Sequence, residues 1–405
     1  SSAAQTTALF AAAACVFLGN GLLTTLVSVR AAQEGFGDFA IGLVGGGFFL
    51  GAAAGALLAP QAIGAVGHIR AFAAFASLSS AATLAFPFAV AAPVWIALRL
   101  VQGVCHAGLV IVAESWINAG AEPARRGRLL ALYGLVNYAA WGASQPLFAL
   151  APAQGFGLFA LVSAVLSIAL VPVTLTRAGG PGVVAAERSR LGRLFAISPV
   201  ALIGVGLLGL SMGAFWGLAP SYAERRGLSE PEISAFLTAP LLGALALQWA
   251  LGWLSDVIER RVVIGLAASG AALAAFALGV EDAFGAQPPL LLAAALGGLA
   301  MPLYAVCVAH ANDRVASEEL VAAASGLVLV YGLGAALGPP AAGALMALLG
   351  PEALFPLIAA GLGAIALAAF GRRVAVAPAP AEERERFVSA PATSHAAMAL
   401  HPQGD

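Results

Sequence analysis

Arg99–Asn118 reads RLVQGVCHAGLVIVAESWIN, inside an apolar run opened by Trp95 that is long enough to cross a bilayer as one helix. At about 100° per residue, Arg99, Gln102, Gly103, His106, Val110 and Glu114 fall on one broad face. A guanidinium, an amide, an imidazole and a carboxylate thus form a polar stripe on a segment bound for lipid. A charge at the bilayer centre costs about 2.5–3.5 kcal/mol even on the lenient insertion scale. The stripe is therefore expected to face protein or a water-filled cavity, where ionisable groups are functional candidates. A role confined to helix packing and topology, with Glu114 tied to an arginine near the membrane surface, is the plainer reading of the same residues.

Hydrophobic residues make up 61% of the 405 and charged residues 10%, with a mean hydropathy of +0.94. A soluble domain carries about 25% charged residues, so the composition defines a polytopic membrane protein, expected to be all-α from the length of its apolar runs. The formal net charge of −1 says little about partners, since the charges sit in loops. No basic aromatic platform points to nucleic acid. Cys15, Cys105 and Cys307 each lie in an apolar run and read as packing residues, neither a disulfide framework nor a metal site. No cofactor is implied. The stretch SSAAQTT lacks a charged region and a small-residue cleavage site, so the first apolar run is expected to stay as a helix.

Breaks at Gly, Pro and charged residues divide the chain into twelve expected spans. The first six cover 8–29, 40–62, 70–91, 93–118, 128–151 and 155–175; the second six cover 197–221, 231–254, 262–280, 289–311, 320–349 and 352–371. The expected organisation is a six-helix bundle over 1–175, an inter-bundle loop over 176–196, a second bundle over 197–371 and a disordered tail over 372–405. The chain has no lysine, so arginine sets orientation. Arg70, Arg125, Arg126, Arg128, Arg260, Arg261 and Arg314 fall in alternate loops, against Arg30, Arg225 and Arg226 in the others. That bias, with the basic inter-bundle loop and tail, predicts a multi-pass protein of a bacterial-type cytoplasmic (inner) membrane with both termini in the cytoplasm.

Two patterns support paired halves. Gly134-Leu135-Val136 with Gly142-Ala143 recurs as Gly326-Leu327-Val328 with Gly334-Ala335, in spans five and eleven. Polarity also varies with a period of three: spans three, six, nine and twelve hold no Asn, Gln, His, Trp, Tyr or charge in their interiors. The other spans carry Asn20, Thr24 and Ser28 on the first, and Asn137, Trp141, Ser144 and Gln145 on the fifth. Trp216, Gln248, Tyr304 and Tyr331 lie on the seventh, eighth, tenth and eleventh. Four lipid-facing helices around eight that enclose a polar path is the simplest arrangement. Trp95 reads as a membrane-interface anchor, while Trp141 and Trp216 either line the path or pack.

Span four's Arg99-x-x-Gln102-Gly103 resembles the R-x-x-Q-G motif of the major facilitator superfamily. The loop after span eight, Gly252-Trp253-Leu254-Ser255-Asp256-x-x-Glu259-Arg260-Arg261, resembles that superfamily's G-x-L-x-D-R-x-G-R-R loop, with Val257 at the first arginine and Glu259 at the second glycine. The first-half loop, Gly64 to Arg70, lacks the aspartate. Gly67-His68-Ile69-Arg70, Glu114-Ser115-Trp116-Ile117-Asn118 and Ala309-His310-Ala311-Asn312-Asp313 are similar to signatures of the YcaD-like branch. The resemblance spans about residues 8–371. It implies two pseudo-symmetric six-helix bundles, the major facilitator fold, rocking in alternating access, with a monomer as the default state.

The expected function is secondary active transport of a small-molecule substrate, coupled to protons, across the lipid bilayer. The substrate cavity is expected at Asn20, Thr24, Arg99, Gln102, His106, Asn137, Trp141, Gln145, Trp216, Gln248, Tyr304 and Tyr331. Glu114 and His106 are the proton-coupling candidates. Asp256, Arg260, Arg261, His310, Asp313 and Arg70 form an expected cytoplasmic gate or charge network. An intramembrane enzyme lacks any H-E-x-x-H or G-x-S-x-G constellation, and a channel lacks a filter. A transporter-shaped sensor or scaffold stays open as the alternative.

Overall fold

Hydrocarbon offers no partner to a backbone N–H or C=O, so each apolar segment must pair its own. In the computed structural model, residues 3–120, 123–175, 191–280, 290–316 and 319–375 are described, and among them there is no strand. Residues 176–190 of the inter-bundle loop, the tail beyond 375 and the side chains of Arg125, Arg126 and Arg128 lie outside the described residues. The first half holds α1 (Ala3–Gln33), α2 (Asp38–Val66), α3 (His68–Ala85), α4 (Ala92–Gly120), α5 (Pro123–Phe148) and α6 (Gly157–Ile168, continued by Leu170–Thr174). A short helix, Leu191–Ile197, leads into the second half. That half holds α7 (Pro199–Arg225), α8 (Glu230–Val257), α9 (Arg260–Gly279), α10 (Leu290–Ala300 with Leu303–Asn312), α11 (Leu320–Leu349) and α12 (Leu354–Ala375).

Eleven of these are long and apolar enough to cross a membrane. The remaining one, α5, has 26 residues, about 39 Å of helix at 1.5 Å per residue, but opens among three arginines. Several helices overrun the expected spans. α1 was expected over 8–29 yet stays helical to Gln33, because the first chain-reversing residue is Gly35, at φ 76°. α3 stops short at Ala85, where Phe86–Phe88 tighten into a 3₁₀ turn around Pro87. α10 is broken at Met301–Pro302.

The two halves repeat each other's packing. α2 lies on α4 as α8 lies on α10, α1 on α5 as α7 on α11, and α3 on α6 as α9 on α12. Small residues make these contacts. A Cβ built on Gly47, Gly51 or Gly55 of α2 would meet the backbone of Ile96, Leu100 or Val104 on α4. Gly209 and Gly213 of α7 meet Tyr331 and Ala335 of α11 in the same way. Between lipid-embedded helices there is no hydrophobic drive, so close van der Waals contact through small-x-x-x-small stripes takes its place. Serines hold α3 to α6, with Ser80 Oγ 2.6 Å from Ser163 Oγ and 3.1 Å from Ser167 Oγ. Trp95 proves to be no lipid-interface anchor. It is fully buried, its indole N–H donating to the Ala89 carbonyl at 3.0 Å and its ring packed on Phe36 and Phe86. The indole fastens the turn between α3 and α4.

The connections α1–α2, α3–α4, α5–α6, α7–α8 and α11–α12 lie at one end, the end that the arginine distribution predicts to be outside and here called the outer end. There the bundles touch closely. Gly42 and Gly46 of α2 lie against Ala336, Pro339 and Pro340 of α11, and Gly45 faces Gly217 of α7. A Cβ on Gly46 would sit 2.7 Å from the Ala336 carbonyl oxygen. Ser28 Oγ donates to the Gly217 carbonyl at 2.9 Å across the same seam. Gly46→Leu should hold the bundles apart there. In a background whose native cysteines are replaced, Ser28→Cys should then react with a membrane-impermeant maleimide several-fold faster. Gly142→Ala, where an added Cβ meets nothing within 4 Å, should leave that rate unchanged.

Candidate functional site

Below the outer seam, one cavity is lined from both bundles. Phe17, Phe49, Asn137, Tyr138 and Trp141 come from α1, α2 and α5, and Leu208, Met212, Trp216, Met301, Tyr304 and Tyr331 from α7, α10 and α11. Its volume is about 90 Å³, below the roughly 300–1,000 Å³ of a typical ligand pocket, so in this state the site is contracted. Trp141 and Trp216 meet across the interface with ring centroids 4.5 Å apart. Trp216 precedes Gly217 of the seam, so this indole pair roofs the cavity. Tyr304 and Tyr331 pack edge to face at 5.3 Å. Asn137 is buried, and its amide nitrogen and oxygen both lack a hydrogen-bond partner, as does Trp141 Nε1.

Of the residues expected in the cavity, the structure thus brings Asn137, Trp141, Trp216, Tyr304 and Tyr331 together. Arg99, Gln102, Thr24 and Gln145 are placed inside the first bundle instead. The Arg99 guanidinium lies 4.4 Å over the Phe48 ring and donates to Thr24 Oγ1 at 3.3 Å and Gln102 Oε1 at 3.4 Å. Gln102 Nε2 donates to Thr83 Oγ1 at 3.1 Å. Gln145 Oε1 accepts from Thr25 at 2.8 Å while its Nε2 donates to Ser144. These contacts pair the costly polar groups with each other, as hydrocarbon demands. Asn20 is half-buried on α1, and Gln248 half-buried on α8 beside an outward-facing Trp249. Neither lines the cavity.

His106 is buried between the rings of Phe17 and Phe48, at 5.4 and 5.5 Å, one ring removed from the cavity. Glu114 is buried further along α4, within electrostatic reach of Tyr133 on α5 and of cavity-lining Tyr304 on α10. The next residue, Ser115, lies 3.0 Å from His68 Nε2.

At the opposite end, Arg260 is the centre of the charge network. Its guanidinium bonds the Ala309 carbonyl at 2.6 Å, pairs with Asp313 at 2.5 Å and reaches Asp256 at 3.5 Å. Arg261 pairs with Glu259, which with Val257 is where this loop departs from the superfamily pattern. His310 is buried nearby on α10, within the field of Arg260, Arg261 and Arg314. Arg70 is exposed and joins none of these contacts. The outer end has its own ion pair, missed from sequence: Asp38 with Arg225 at 2.9 Å, joining α2 to α7, beside Gln33 donating to Glu224. Arg225 is a third exposed, so the pair is worth at most about 1 kcal/mol. Its carboxylate opens α2 and its arginine closes α7, positions that helix sequence alone does not connect. Phe17, Phe49, Tyr138, Met212 and Met301 were also missed, because an apolar residue facing a cavity reads like one facing a neighbour. Among the described residues no group of His, Cys, Asp and Glu could hold a metal.

A twelve-segment helical protein with matching halves and a shared central cavity has the architecture of a membrane carrier, and the comparisons agree. Residues 201–400 match the model of the Major Facilitator Superfamily. MFS-type transporters named YcaD are similar over most of their length. The chain is 27% identical to that of Shigella flexneri serotype 5b over 350 residues, 84% of this chain and 89% of the relative. It is 26% identical to that of Escherichia fergusonii over 345 residues, with the same coverage. The fold is similar to that of the nucleoside transporter NupG (TM-score 0.73, 14% identity, 91% of this chain and 98% of that one). It is also similar to a D-xylose–proton symporter (TM-score 0.70, 14% identity, 89% and 96%). The chain is thus similar over most of its length to major facilitator superfamily proteins of the YcaD-like branch.

Arg260 and Asp313 side chains are 1% and 3% exposed. Removing one partner of such a pair strands the other charge and costs about 3 kcal/mol. Asp313→Leu should therefore lower the unfolding temperature in detergent by several degrees. Adding Arg260→Met should recover most of that loss.

Proposed function

We propose that this chain is a secondary active transporter that carries a small solute through the central cavity by alternating access, with proton coupling. The observation that carries the reading is the cavity itself. Its wall is divided between the two halves, so any rocking of residues 1–175 against 197–371 changes which end opens to it. The seam of Gly42, Gly45 and Gly46 with Ala336, Pro339 and Pro340 draws the halves together on one side of that cavity. In this reading the protein works as a monomer in the cytoplasmic membrane with both termini inside. Solved proteins of similar fold include a D-xylose–proton symporter and the fucose:proton symporter FucP of E. coli (TM-score 0.56), which favours protons as the coupling ion.

Glu114 and His106 are the proposed proton carriers. Both are buried in α4: His106 packs behind cavity-lining Phe17, and Glu114 lies within electrostatic reach of cavity-lining Tyr304. A carboxyl and an imidazole are the side chains able to change charge near neutral pH when their surroundings shift them. A proton crossing the membrane brings about 2.3 kcal/mol per 100 mV to the cycle. Asp256, Arg260, Asp313 and His310 are proposed to steady the inner end of the second bundle between conformations.

A thermal-shift screen of metabolites on the purified protein at two pH values identifies a solute by mass action. Flux of that solute into proteoliposomes should rise several-fold under an inward proton gradient. Glu114→Gln should abolish that rise, with His106→Gln reducing it. Unchanged pH dependence in both variants removes these residues from the coupling step. Binding without flux in any gradient favours a transporter-shaped sensor.

A further inference from the structure

Asn137 is 4% exposed, yet neither its amide nitrogen nor its amide oxygen finds a hydrogen-bond partner, and one turn on Trp141 Nε1 is unpaired too. The Tyr133 hydroxyl is near enough to interact with Asn137 but does not reach hydrogen-bond geometry with it. Elsewhere in the same bundle the buried amides are paired, Gln102 with Thr83 and Gln145 with Thr25 and Ser144. The unpaired amide is therefore particular to the cavity wall that Asn137 and Trp141 share. A buried amide left without a partner is unfavourable, and a bound molecule can supply what the protein does not.

The chemistry of that molecule follows from the wall. Seven of the eleven lining residues are aromatic, and no carboxylate, guanidinium or imidazole is among them. An ion would meet no counter-charge there, and a sugar would leave most of its hydroxyls unpaired. A flat ring, by contrast, packs on aromatic faces and edges. A carboxamide presents a donor beside an acceptor, which pairs in two-pronged fashion with a ring edge bearing the complementary pair, as asparagine does with adenine. We propose that the cavity binds a planar, uncharged heteroaromatic solute whose edge carries adjacent donor and acceptor atoms. Asn137 reads that edge, and Trp141 Nε1 donates to a further acceptor. The inference deepens the transport reading and rests on it for the route by which the solute enters.

The test uses the full chain in detergent and two matched probes, 2-quinolone, whose lactam shows N–H beside C=O, and N-methyl-2-quinolone, which keeps ring and carbonyl but loses the donor. Affinities are read by titration calorimetry against detergent blanks. The wild type should bind 2-quinolone saturably and the N-methyl compound at least tenfold more weakly. Asn137→Leu should weaken 2-quinolone at least tenfold and bring the two probes to parity. Equal affinities in the wild type overturn the assignment whatever the variant does, so a variant that fails to fold does not protect it. Undiminished 2-quinolone binding in a folded Asn137→Leu means that water pairs this amide, and also overturns it, as does tighter binding of D-xylose or N-methylquinolinium. Selective 2-quinolone binding, with no bound solute carried across proteoliposomes, defeats the transport reading and leaves this assignment standing.

Discussion

Backbone meets backbone where α2 runs along α4 and α11, and where α7 runs along α11. Lipid tails are as apolar as leucine, so burying leucine between helices gains little, and contact distance decides association. The glycine stripes of α2, α7 and α11 bring neighbouring carbonyls where a Cβ would stand. The same device serves two purposes. Within each bundle it fixes helix pairs, and between bundles it forms the outer seam.

That constraint explains how the polar residues are distributed. With helices so close, the space inside each bundle is narrow, and a long polar side chain there reaches another polar side chain. Arg99, Gln102, Thr24 and Thr83 form one such chain of contacts, and Thr25, Gln145 and Ser144 another. Below the seam a gap remains between the bundles. Its wall is mostly aromatic rings, with Leu208, Met212 and Met301 and a single amide among them.

Helical periodicity shows which face of a segment avoids lipid, and for α4 it located Arg99, Gln102, His106 and Glu114 on that face. It does not separate the interior of a bundle from the interface between bundles, since both fall within the same inward arc. Asn137 and Gln145 illustrate the limit. They lie eight residues apart on one helix, about 80° apart around its axis and so within one inward arc, yet one faces the gap and the other a threonine. Short-range motifs fared better where the contact is itself local: Asp256 and Arg260 at i, i+4 meet at 3.5 Å. The contact of Asp38 with Arg225 depends on how α2 approaches α7, which no single segment encodes.

The outer seam has a further property as a moving part. Closing a gate built of arginines or methionines would freeze rotatable side chains, at up to about 2 kcal/mol each. Glycine has no side chain to freeze, and Pro339 and Pro340 are already rigid rings. A joint of this kind can part and re-form with almost no ordering penalty, its energy set by surface fit alone. Such a joint is quick to release, which suits the alternating access proposed for this chain, where that face would open and shut once in every turnover.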